Sequence, residues 1–193
     1  MELVILEWYK LLLAFSLHIL YNVGKSGRKW RTPELPAFAA LKKKVEHMFL
    51  GQYKHSVDEK GRLTIPARFR ELLEGGAYVT QGFDRCLMVM TTANFEQVCN
   101  RINAMNIADP ATRMLRRLIL SNAYQVEVDK VGRILLSQNL REYINLDSEA
   151  VLAGQGDYFE IWTPGLWGEQ MKQIQDADAN NQRFATLDLS TRG

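Results

Sequence analysis

Two short stretches of this chain place a carboxylate, a glycine and an arginine at the same spacing. Asp58-Glu59-Lys60-Gly61-Arg62 is answered by Asp129-Lys130-Val131-Gly132-Arg133. In such a stretch the Asp can bond the backbone ahead of it, and the Gly can take the φ > 0 position of a tight type I turn with a bulge. The turn does not need the Arg, so its repetition asks for another reason. A two-stranded ribbon fits the major groove of DNA, and an Arg at its tip can reach a guanine edge with two parallel hydrogen bonds. Between Gln52 and Arg70, five cations (Lys54, Lys60, Arg62, Arg68 and Arg70) stand against Asp58 and Glu59, a local net of +3. One ribbon offers only a few phosphate contacts, so useful affinity requires several copies side by side.

Other chemistry finds less support. Past Met48 the single histidine is His55, mid-strand, so a Ser-His or Cys-His nucleophile pair has one candidate base. Cys86 and Cys99 show neither metal spacing nor a disulfide framework. They read as small core hydrophobes in a reducing cytoplasm. Asp58 and Asp129 can be imagined as paired carboxylates for acid–base work, but each stands where a turn wants an Asp. Gly154-Gln155-Gly156 ends without the third glycine of a dinucleotide fingerprint, and there is no P-loop. The expectation is therefore no enzyme, no cofactor, no metal and no small-molecule substrate.

Charge is unevenly spread. The 193 residues are 47% hydrophobic and carry a formal net charge of +2. Residues 1–47 hold eight Lys/Arg and four Asp/Glu, whereas residues 48–193 hold sixteen and eighteen, a net of −2. Nucleic-acid binding by the larger part must rest on local charge. Composition excludes collagenous, disordered and disulfide-scaffold classes.

The elements that must position the two motifs are themselves repeated. Val57 to Ile65 matches Val128 to Leu136, and Phe69-Arg70-Glu71 matches Leu140-Arg141-Glu142. With one inserted residue the match resumes, pairing Leu87 with Phe159, Val89 with Ile161 and Phe95 with Trp167. Two copies are too few for a solenoid and suit a pseudo-twofold arrangement around one core. In each copy, alternation predicts a strand before the turn and another after it, with Leu63, Ile65, Ile134 and Leu136 inward and Arg62 and Arg133 outward. A short helix follows, with Pro66 in its first turn and Ser137 as the matching N-cap. Residues 77–81 with 86–90, and 150–154 with 158–162, read as further strand pairs. Asp109-Pro110 opens a connecting helix whose apolar face is Met114, Leu115, Leu118 and Ile119. The polar stretch after Gln175 is expected to fray.

The first 47 residues read differently. Leu11 to Leu20 is too short to cross a hydrocarbon core of roughly 30 Å. The flanks are not those of a secretory signal. Residues 11–31 retain an amphipathic membrane-surface reading, because Lys25, Arg28, Lys29 and Arg31 follow the apolar run. The other expectation is that residues 1–47 are upstream sequence joined through a misassigned start.

Met48-Phe49-Leu50-Gly51, Asp58 to Pro66, Phe69-Arg70 and Asp129 to Arg133 closely resemble the bacterial MraZ family over residues 48 to about 180. The resemblance implies an α+β fold. Two AbrB-like swapped-hairpin halves form a β-barrel with flanking helices, in chains that assemble into rings. The corresponding division is an extension of doubtful relevance at 1–47, a first repeat with connecting helix at 48–121, a second repeat at 122–175 and a tail at 176–193. The implied function is transcriptional regulation, in the cytoplasm at the nucleoid, of the division and cell-wall gene cluster. The double-stranded DNA partner is a set of direct repeats in the promoter. Arg62 and Arg133 become the contact candidates, with Asp58 and Asp129 in the motif, Lys60 and Lys130 as neighbouring cations, and Arg68 and Arg70 nearby. The second copy has Val131 for Lys60 and Asn139 for Arg68, so the first is the more basic. Two other readings stay open: a ring-forming scaffold whose arginines pair between chains without DNA, and a membrane-peripheral protein using residues 11–31.

Overall fold

The computed structural model describes residues 47–187. The expectations for residues 1–46, the amphipathic membrane reading included, lie outside the described residues. Among the described residues no helix is long and apolar enough to cross a membrane.

The first copy supplies β1 (Gln52–Ser56), β2 (Arg62–Thr64), β3 (Ala77–Gln81) and β4 (Leu87–Thr91). The second supplies β5 (Tyr124–Val126), β6 (Arg133–Leu135), β7 (Glu149–Gly154) and β8 (Tyr158–Trp162). Six of them form one antiparallel sheet in the order β1-β7-β8-β4-β3-β5, while β2 and β6 pair with each other. Each copy's first strand therefore joins the other copy's third: Gln52 faces Ala153, and Ala77 faces Val126. Repeat equivalents face one another at Met88 and Glu160 in the sheet, and at Leu63 and Ile134 in the ribbon. The pseudo-twofold axis runs through both pairs.

Two expectations are corrected. The strands flanking each turn do not zip into a ribbon of their own; in the first copy a single bridge, Val57 to Leu63, joins them. The ribbon that forms takes one strand from each copy. Nor does the hydrogen bonding close a barrel. Six strands form an open sheet with β1 and β5 at its edges, and β2 and β6 satisfy one another instead. The architecture is α+β.

The core lies between the sheet and the ribbon. Val79, Leu87, Val89, Leu152, Phe159 and Ile161 from one face meet Leu63, Ile65, Ile134 and Leu136 from the other side. Phe49 and Phe69 pack edge to face at 5.1 Å and complete the cluster. Two short helices edge the core: α1 (Ala67–Arg70), continued by a 3₁₀ turn over Glu71–Leu73, and its counterpart in the second repeat, described below. Burial of Phe69 and Leu73 fixes α1. Pro66 stands at its N-cap, one residue before the expected place.

The sheet's second face is covered by helices. α2 (Thr92–Ala104) and α3 (Pro110–Ile119) bury Phe95, Ile102 and Ile119 against Met90. Asp109 caps α3 as the sequence predicts, its carboxylate accepting from Ala111 N–H at 2.9 Å. Met114 is 67% exposed, however, and buried Thr112 takes part in the inward face. The counterpart of α1 is α4 (Gln138–Ile144), anchored by Leu140 and Ile144. Ser137 occupies its N-cap position, yet its hydroxyl makes no capping bond. α5 (Pro164–Ile174) sets Leu166 and Trp167 over Val151, Ala153 and Trp162. The polar stretch expected to fray forms α6 (Ala177–Arg183), capped by Asp176.

On this covered face Glu160 lies partly buried at the axis, accepting from Trp162 Nε1 at 3.0 Å and Gln155 Nε2 at 3.1 Å. Burial raises its carboxyl above the ordinary value, against the pull of those two donors.

Candidate nucleic-acid interface

The two turns are built alike. Asp58 N–H donates to Arg62 O at 3.0 Å, and Gly61 N–H donates to Asp58 O at 2.8 Å. Asp58 Oδ1 accepts from the amides of Lys60 and Arg62 at 3.0 and 2.9 Å. In the second copy Asp129 and Gly132 repeat the backbone bonds at 2.8 Å each. Asp129 Oδ1 accepts from Val131 and Arg133 at 3.0 and 2.9 Å. Gly61 and Gly132 take φ of +78° and +83°, where a side chain would be strained. The backbone amide of the motif arginine is the main cause holding each Asp carboxyl below its usual value. Both carboxylates thus work inside their turns.

Between the turns, the ribbon's outward face carries four side chains. Arg62 stands opposite Leu135, and Thr64 opposite Arg133, while Leu63 and Ile134 point to the core. The two arginines differ. Arg133 gives Nε and Nη2 to Asp129 Oδ2 at 3.0 and 2.9 Å, and Nη1 reaches Asp58 Oδ2 at 3.3 Å. Arg62's guanidinium makes no hydrogen bond or ion pair among the described residues. Apolar surface lies beside it: Leu135 is 57% exposed, and Val131, in the second turn, 66%.

The remaining candidates scatter. Lys60 and Lys130 are exposed at their turns. Arg68 is exposed on α1 and borders a depression with Leu72, Thr91 and Asn94 rather than either turn. Arg70 is partly buried, and its Nε donates to Ile65 O at 2.7 Å. It lines a cleft with Lys130 that also holds Glu71, Glu74, Glu127 and Asp129. Four carboxylates against two cations make that cleft a poor seat for phosphate. Arg141, which sequence reasoning did not select, sits as Arg70 does, with Nε donating to Leu136 O at 3.3 Å. Its signal was the repeat itself, which aligns Arg141 with Arg70.

Burial pushes the Cys86 thiol up to about 12, far from a nucleophile's range. Burial, and then the charge of Arg70, lowers the His55 imidazole. Among the described residues no three His, Cys, Asp or Glu side chains come together as a metal site.

A family model described as "MraZ protein, putative antitoxin-like" matches residues 48–118 and again 119–189. A protein of Roseiflexus castenholzii called transcriptional regulator MraZ is 44% identical over 138 residues, 72% of this chain and 94% of its own length. Its namesake in Thermomicrobium roseum is 41% identical over 141 residues, 72% of this chain and 99% of that one. Another in Desulfitobacterium hafniense is 43% identical over 133 residues, 69% and 93% of the two chains.

Proposed function

Because the chain belongs to the MraZ family, we propose that it is a transcriptional regulator that binds double-stranded DNA through the Arg62 end of the β2–β6 ribbon. Its operators are direct repeats in the promoter of the division and cell-wall gene cluster that begins with its own gene. Chains assemble as a ring, so that several ribbons engage successive repeats and supply the avidity one ribbon lacks. The protein acts in the cytoplasm at the nucleoid.

One observation carries this reading: Arg62 presents a guanidinium with no hydrogen bond or ion pair among the described residues, on the outward face of a ribbon slim enough for the major groove. A guanidinium already held by two carboxylates, as at Arg133, has fewer donors left for a base edge. Lys60, exposed in the same turn, is placed for a phosphate. Leu135 beside Arg62 offers the apolar contact that a thymine methyl accepts. Because residues 48–193 carry a net negative charge, the attraction to DNA must come from local cations such as these.

The test is an electrophoretic mobility shift with DNA from upstream of the protein's own gene. A shift that survives excess scrambled competitor is the expected result. Equal affinity for operator and scrambled DNA, or no binding to either, overturns the proposal.

A further inference from the structure

Arg70 and Arg141 are repeat equivalents near the ends of α1 and α4, and each lies against the turn of the opposite copy. A Cβ on Gly61 would stand 2.5 Å from Arg141 Nε, and one on Gly132 would run into the Arg70 guanidinium. The hydrogen bonds close the unit. Leu136 N–H donates to Gly61 O at 2.9 Å, while Leu136 O accepts Arg141 Nε. Ile65 N–H donates to Gly132 O at 2.9 Å, while Ile65 O accepts Arg70 Nε. Turn glycine, opposing strand end and arginine form the same assembly twice.

We infer that Arg141 is the positioning residue for the first turn, which bears Arg62, and Arg70 for the second, which bears Arg133. The flat guanidinium lies where the glycine has no side chain, and its Nε fixes it to the strand end that grips that same glycine. The distance between turn and helix is set by this packing. Arg70, a DNA-contact candidate by charge alone, works from inside the fold. The control is crosswise: the arginine that orders a turn comes from the other half of the chain. Lysine cannot substitute, because it keeps the charge but has neither the planar group nor the Nε donor.

The effect on DNA rests on the reading given above; the positioning does not, so two measurements separate them. Hydrogen exchange of the full chain without DNA is compared for Arg141→Lys, Arg141→Ala, Arg70→Lys and Arg70→Ala. In both Arg141 variants, exchange at residues 59–62 should rise several-fold before it rises at 130–133. In both Arg70 variants the order should reverse. Operator affinity is then measured with Arg62→Ala as the second substitution. Arg141→Ala should weaken binding by about tenfold, the scale of coupling within one network, and add nothing once Arg62 is gone. Arg70→Ala should multiply with Arg62→Ala. Exchange rising first in a variant's own copy, or equally in both turns, overturns the inference. So does full rescue of both readouts by lysine, which would mark these arginines as phosphate contacts. Crosswise exchange in a protein that ignores its operator would leave the positioning standing and remove the DNA reading alone.

Discussion

Arg133 Nη1 lies 3.3 Å from Asp58 Oδ2, an ion pair that ties the second copy's motif to the first's. Among the described residues the reciprocal pair, Arg62 with Asp129, does not form. A nearly twofold frame thus holds one arginine between two carboxylates and leaves its equivalent free. That asymmetry separates the expected effects of altering the two.

Arg62→Ala should lower operator affinity by about 1–3 kcal/mol per engaged ribbon and relax sequence preference. Its melting temperature should stay close to wild type, since the guanidinium makes no hydrogen bond or ion pair among the described residues. Arg133→Ala should do the opposite, lowering the melting temperature slightly while weakening operator binding less. Affinity and melting curves on the same samples check both.

Asp129→Asn keeps an Oδ1 that can accept the Val131 and Arg133 amides but gives up the charge that holds the Arg133 guanidinium. The turn should persist, and the arginine should be held only by its 3.3 Å contact with Asp58 Oδ2. Affinity for unrelated DNA should then rise, and its dependence on log salt should steepen by about one counterion per engaged turn. Anisotropy titrations across a salt series measure the slope; an unchanged slope would show Arg133 still occupied.

Lys60→Ala should weaken binding to operator and unrelated DNA alike, and flatten the salt dependence by about one counterion per engaged turn. A loss confined to the operator would instead assign Lys60 to base recognition.

Glu160 and the turn aspartates affect stability with opposite signs. Glu160's carboxyl is raised in the folded state, so its favourable term is present below the ordinary value of 4.5 and lost as pH rises through the folded value. Asp58 and Asp129 are lowered, so their favourable terms are present above the ordinary value of 3.8 and lost as pH falls through the folded ones. Glu160→Gln, which retains an acceptor for Trp162 and Gln155, should melt a few degrees above wild type at pH 7. The gap should close toward pH 4. A constant difference across that range would mean that charge at Glu160 is not what burial opposes.

Light scattering should give several times the monomer mass for the isolated protein, as avidity along repeated sites requires. A monomer that binds those repeats tightly would contradict the ring.

Much of the layout was legible because strand and helix periods survive in each copy. Leu63 and Ile65 inward, Arg62 outward, and the Asp109-Pro110 helix start all follow from spacing and cap chemistry. The strand exchange did not follow from local pattern. Tyr53, His55 and Val57 present the same face to either copy's third strand, and two similar halves give alternation no means of choosing. Resemblance implied the swap; the residues alone suggested a local ribbon. Met114 falls within the helical apolar set by angle, but the short contact of α3 with the sheet leaves it outside. Arg141 was hidden for another reason: a partly buried arginine reads as surface charge until the glycine it covers is found on a different segment.

The interleaving also has a consequence for the order of events during synthesis. Gln52 pairs with Ala153, and Leu63 with Ile134, so the earliest strands have no partner until nearly the whole domain has left the ribosome. Neither half can complete its own sheet, and a truncated product would expose the apolar faces of β1 and β2 with nothing to cover them. Long-range pairing of this kind is slow and leaves nascent strands open to association with neighbouring chains. Premature termination inside the second half therefore yields no functional half-molecule, only a sticky fragment suited to quality-control proteolysis.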